Sequence, residues 1–146
     1  MKKMILTGVL GVLLLLVPQS AWAFGFNAQN DTERNIDFAI MYYDDGADDW
    51  LCRGWFALSA NTSKRYTFPD SGVVSQVYIY AQSSGNRVWG ARNPNDGMPA
   101  SVVNDRFEYH RNASVPAGQN LRMVDFREYQ PNSEGIISIR WTAGQG

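Results

Sequence analysis

Four carboxylates stand within six residues, at Asp44-Asp45-Gly46-Ala47-Asp48-Asp49. Clustered carboxylates can offer hard oxygen ligands to calcium. Asp44, Asp45, Asp48 and Asp49 are therefore the candidate metal ligands, and Ca2+ is the cofactor they would suit. The spacing departs from an EF-hand loop, which alternates its ligands and closes on a distant glutamate. The same six residues also suit a solvated hairpin turn, because Asp and Gly tolerate turn conformations. Asp70, Asn95 and Asp96 could complete a metal site only if the fold gathers them.

A second set of residues could bind rather than catalyse. Tyr78 and Tyr80 alternate with Val77 and Ile79 and so share one face of a strand. With Tyr43, Arg53 and Trp55 they could line an aromatic stripe across neighbouring strands. Such a stripe could stack on a sugar ring or anchor a protein, because Trp, Tyr and Arg dominate interface hot spots. The competing reading is a second core face, since aromatic rings carry large buried area.

Catalytic chemistry has little to stand on. His110 is the only histidine, and one histidine cannot make a polyhistidine metal site. No serine or acid lies near it at a diagnostic spacing. Paired acids such as Asp105 and Glu108 could in principle serve a glycosidase. No GxSxG, HExxH, P-loop or dinucleotide fingerprint is present. Cys52 is the only cysteine, so an intrachain disulfide is impossible. It reads as a small buried apolar residue, with an intermolecular disulfide or a reactive thiol as the other options.

These residues sit in a chain patterned as strands. Segments 36–43, 50–58, 64–69, 75–82, 87–91, 101–104, 106–110, 121–128 and 136–142 are rich in β-branched and aromatic residues. Turn chemistry separates them at Asp45-Gly46, Ser84-Gly85-Asn86, Asn95-Asp96-Gly97, Ala117-Gly118 and Ser133-Glu134-Gly135, where glycine can take positive φ at low cost. No window of about eleven residues beyond the leader holds a helical period. The expected fold is an all-β antiparallel sandwich or small barrel of about eight or nine strands. Period two places Val77, Ile79 and Ala81 together. It places Cys52, Phe56 and Leu58 inward with Arg53 and Trp55 outward. It sets Ile137, Ile139 and Trp141 against Ser138 and Arg140.

The first 23 residues read as a secretory leader. Lys2 and Lys3 precede an apolar run of 13 residues from Ile5 to Val17. Pro18 breaks the run, and Ala21-Trp22-Ala23 offers small residues at a cleavage site. The run is short of the roughly 20 residues that span a bilayer. The expected organisation is a signal peptide over 1–23 and a single domain over 24–146, periplasmic or secreted, with no membrane span after cleavage. That domain has 123 residues, enough to bury roughly 65% of the surface its unfolded chain exposes. It carries 11 basic and 14 acidic residues, a net charge of −3. Without a basic cluster in the sequence, nucleic acid is not an expected partner.

Asn30-Asp31-Thr32, Asn61-Thr62-Ser63 and Asn112-Ala113-Ser114 match the glycosylation pattern but read more simply as turn and strand-edge residues. The segment from Asn30 to Trp89 also carries a pattern. Asn30-Asp31-Thr32 is followed by Tyr42-Tyr43-Asp44-Asp45-Gly46, then Trp50 with Arg53-Gly54-Trp55-Phe56, then Tyr78-Ile79-Tyr80-Ala81. It resembles a bacterial family of small secreted domains of unknown function, whose members are often mislabelled predicted integral membrane proteins. The resemblance covers about half of the domain. Members of that family often carry further cysteines near these strands, and this chain has none. What the resemblance implies is architecture and export, with no activity attached.

Together these features describe an exported, non-catalytic binding module. Its expected ligand is a protein or a cell-envelope glycan, held by the aromatic strand face or by end loops. The alternatives are a structural or immunity-type partner protein in a stable complex and, further off, an envelope hydrolase.

Overall fold

The structure, a computed structural model, describes residues 24–68, 74, 76–84 and 86–144. The expected leader, Asp70, Ser75 and Gly85 lie outside the described residues. Among the described residues ten strands follow one another: β1 Phe24–Asn30, β2 Ile36–Asp44, β3 Asp49–Leu58, β4 Thr62–Phe68 and β5 Val77–Ser83. Then come β6 Arg87–Trp89, β7 Gly97–Val102, β8 Phe107–His110, β9 Arg122–Tyr129 and β10 Ile136–Trp141. One 3-10 turn, Pro94–Asp96, precedes β7. The nine expected segments are all strands, and β1 is an additional one.

The strands form two sheets. The larger has seven strands in the order β7-β9-β5-β2-β3-β8, with β6 also paired to β5. All its described pairings are antiparallel. The smaller runs β10-β1-β4, with β1 parallel to β10 and antiparallel to β4. The result is an all-β sandwich whose larger layer curls toward a half-barrel. Hydrogen bonds tie the ends of the curl: Tyr109 Oη donates to the Ser101 carbonyl (2.6 Å) and Arg111 Nε to the Pro99 carbonyl (2.8 Å). These bonds join the β8 end of the sheet to β7.

Two cores follow from this shape. One lies between the sheets and contains Phe24, Phe26, Ile36, Phe38, Ile40, Val77, Ile79, Ile137 and Trp141. Its rings interlock, as in the edge-to-face pair Phe26–Phe38 with centroids 5.4 Å apart. The other fills the inside of the curl with Met41, Cys52, Tyr78, Tyr80, Val102, Phe107 and Phe126. Strand β5 is therefore covered on both sides, and its first five residues are all buried.

The face expected for β10 is observed: Ile137, Ile139 and Trp141 are buried, Ser138 and Arg140 exposed. The face expected for β3 needs a correction. Cys52 belongs to the inner core, whereas Leu58 and the partly buried Phe56 belong to the core between the sheets. The pairing explains it. Phe38 faces Phe56, but Ile40 faces Arg53, so Gly54 and Trp55 together oppose Ala39. That extra residue is a β-bulge, and it switches every later side chain to the other face. Phe107 lies over the bulge, where a Cβ on Gly54 would stand 2.7 Å from its ring.

The turns divide as the residue types allow. Gly118 and Gly135 take positive φ as expected. In the acidic hairpin it is Asp48, at φ 50, that does so. Asp and Asn enter the left-handed region more readily than most residues, which also accounts for Asn61, Asn86 and Asn120.

Candidate functional site

The residues expected to bind fall into different environments. Tyr78 and Tyr80 are buried in the inner core, at 7% and 6% exposure. Tyr78 meets the edge of Trp50 and Tyr80 packs near Phe126. The expected exposed stripe is thus a covered face, because the curl folds β7, β8 and β9 around it. Trp55 is half-buried against the same core, its Nε1 donating to the Val103 carbonyl (2.8 Å) and its ring set on the edge of Phe107. Arg53, before the bulge, lies on the opposite face. It pairs with Glu108 (2.8 Å) and lies over the Phe68 ring. Arg53 and Trp55 do meet at a shallow hollow of about 350 Å³ beside Phe107 and Glu108. Tyr43 stands apart at the end of β2, donating its hydroxyl to Asp48. That bond is the first cause pushing the hydroxyl up to about 12.

The four candidate metal ligands do not converge. Asp44 Oδ2 bonds His110 Nε2 (3.0 Å), a contact that lowers the Asp44 carboxyl below its ordinary value. Asp48 accepts from Tyr43. Asp49 is buried and accepts from the backbone N–H of Trp50 and Asn112 and from Asn112 Nδ2 (2.9 Å). Asp45 is exposed. Each of the other three carboxylates serves a separate structural bond. Among the described residues no group of three or more His, Cys, Asp or Glu side chains is arranged to hold a metal ion.

A larger concavity lies elsewhere, where β10 at the edge of the small sheet faces β6 and β9 of the large one. It is a cleft of about 590 Å³. Its apolar wall includes Trp89 and Trp141, both buried, with Trp89 Nε1 donating to the Thr142 carbonyl (3.2 Å). Three arginines line it: Arg92 after β6, Arg127 on β9 and Arg140 on β10. Asp125 is the single carboxylate among its lining residues. Arg127 lies 5.4 Å from the Tyr129 ring centroid, a cation–π arrangement. Burial raises the Tyr129 hydroxyl above its ordinary value, and Arg127 and Arg92 offset part of that rise. Arg140 Nε pairs with Asp31 (2.6 Å), yet its side chain is 64% exposed.

Strand patterning delivers this charge. On β9 the residues Asp125, Arg127 and Tyr129 fall on the face opposite Phe126, and on β10 Arg140 alternates with buried Ile139 and Trp141. The three arginines stand 35 and 13 residues apart in sequence, so no run of charge announces them. A second hollow of about 410 Å³ adjoins the cleft on the outer face of the small sheet and shares Ser138, Ile139 and Arg140 with it.

No family model matches this sequence, and neither does any curated protein. No helix among the described residues is long and apolar enough to cross a membrane.

Proposed function

We propose that this protein is an exported, non-catalytic binding module whose ligand occupies the cleft between the two sheets. The observation that carries this reading is the cleft itself: a concavity of about 590 Å³, apolar at its tryptophans and edged by Arg92, Arg127 and Arg140. A concave site with an apolar wall and a few polar groups is the usual form of a ligand site. Three guanidinium groups, against Asp125 in the lining and Asp31 paired with Arg140, favour an anionic group on the ligand. An envelope glycan or a protein segment could present one.

Export is supported by the leader pattern in residues 1–23 and by the likeness of Asn30–Trp89 to small secreted domains.

The test is a thermal-shift screen of the purified protein and its Arg127→Ala variant against oligosaccharides and peptides released from bacterial envelopes. At least one compound should raise the melting temperature of the parent and not of the variant. Equal shifts in both proteins would place the ligand outside the cleft.

A further inference from the structure

Resting on the reading of the cleft as a ligand site, we propose that its occupant is an acidic polysaccharide. The sugar chain would run from the cleft across the outer face of the small sheet. The two hollows are continuous at Ser138, Ile139 and Arg140. Together they are lined by Arg92, Arg127, Arg140, Lys64 and Arg65, five of the 11 basic residues that follow the leader, with Asp125 as the one lining carboxylate, Asp31 paired with Arg140 and Lys64 over the Tyr66 ring. In a chain of net charge −3 this is a local concentration of positive charge. Arginine suits carboxylates in particular, because its planar fork takes both oxygens at once.

The register across the small sheet gives the track its chemistry. Gln29 on β1 pairs with Ser63 on β4 and with Arg140 on β10. Two residues back, Asn27 pairs with Arg65 and with Ser138. Two rows of three polar side chains thus cross three strands, each row spanning about 10 Å and ending in an arginine. Amides and hydroxyls beside guanidinium groups can serve the hydroxyls and carboxylates of successive sugar rings. Arg65 lies across this face: its guanidinium would be 3.1 Å from a Cβ on Gly25, so the glycine in β1 leaves room for it. Asp31 accepts from Gln29 Nε2 (2.8 Å) and pairs with Arg140 Nε, which orients both side chains along the same row. Apart from Ala28 and Ile139 the residues lining the outer hollow are polar or charged, which suits hydroxylated sugar rings more than the apolar anchors of a peptide. That favours a glycan over an acidic peptide.

The experiment is isothermal titration of the purified protein with galacturonate disaccharide and octasaccharide, a neutral glucose octasaccharide, and octaglutamate. The uronate octasaccharide should bind about tenfold more tightly than the disaccharide, because the outer face adds contacts to those of the cleft. Arg65→Gln should weaken octasaccharide binding about tenfold, to the level of the disaccharide, with the melting temperature unchanged. Arg127→Ala should weaken both lengths. If both lengths bind equally and Arg65→Gln is silent, the track is wrong and the cleft site stands. Equal or tighter binding of the neutral octasaccharide or of octaglutamate overturns the acidic glycan. So does the absence of uronate binding, while the cleft reading then rests on the screen with Arg127→Ala.

Discussion

Cys52 shows how little a residue's type reveals about its reactivity. Its thiol is fully buried beside Tyr109, and burial pushes it up to about 12. A raised value in the folded state means the thiol favours folding below its ordinary value of 9.0, and this contribution is lost as pH rises toward 12. The thiolate is the reactive form. Native protein at neutral pH should therefore leave an aromatic disulfide reagent unreduced, and one equivalent should react after unfolding in denaturant. Rapid reaction of the native protein would show that the inner core opens. The residue scale also holds the misread aromatics. Tyr78 and Tyr80 have the composition of a binding stripe, and alternation correctly separates them from Val77 and Ile79. Alternation cannot say whether a face is covered, because the cover comes from β7, β8 and β9, 20 to 50 residues further on.

At the scale of elements, nine segments were legible because β-branched and aromatic runs stood between strong turn signals. Strand β1 carries only a weak strand signal, because Gly25, Asn27 and Gln29 dilute Phe24 and Phe26. It becomes a strand through tertiary pairing, held between β4 and β10. The end of β1 is fixed by Asn30, a residue legible only as part of an Asn-Asp-Thr triplet. Asn30 is buried, and its Nδ2 donates to the carbonyls of Arg34 (2.8 Å), Leu58 (3.2 Å) and Ser59 (3.1 Å). Its Oδ1 accepts from the N–H (2.9 Å) and hydroxyl (2.7 Å) of Thr32. This one amide joins β1 to the start of β2 and the end of β3. Asn30→Ala should destabilise the fold by about 2–5 kcal/mol, since several buried groups lose partners together. Chemical denaturation measures it, and a loss below about 0.5 kcal/mol would mean the junction relaxes around the gap. The bulge at Gly54-Trp55 is the other element hidden from the sequence. Nothing in the period of β3 marks an inserted residue, yet it decides that Arg53 and Trp55 serve different faces.

The whole molecule creates the candidate site. Arg92, Arg127 and Arg140 belong to a connecting segment, to β9 and to β10, and only the stacking of the two sheets brings them to one cleft. Composition gave a weakly acidic chain, and from that sum no cationic cleft could be foreseen. The charge is sorted by strand alternation and sheet order, with acidic residues gathered at the β2–β3 hairpin and Arg92, Arg127 and Arg140 around the cleft. The most direct measurement is an amide NMR titration of the purified protein with galacturonate disaccharide. The account predicts saturable shifts clustered at Arg92, Arg127, Tyr129 and Arg140. Shifts confined to the Asp44–Asp49 hairpin or to the hollow beside Arg53 and Trp55 would contradict it.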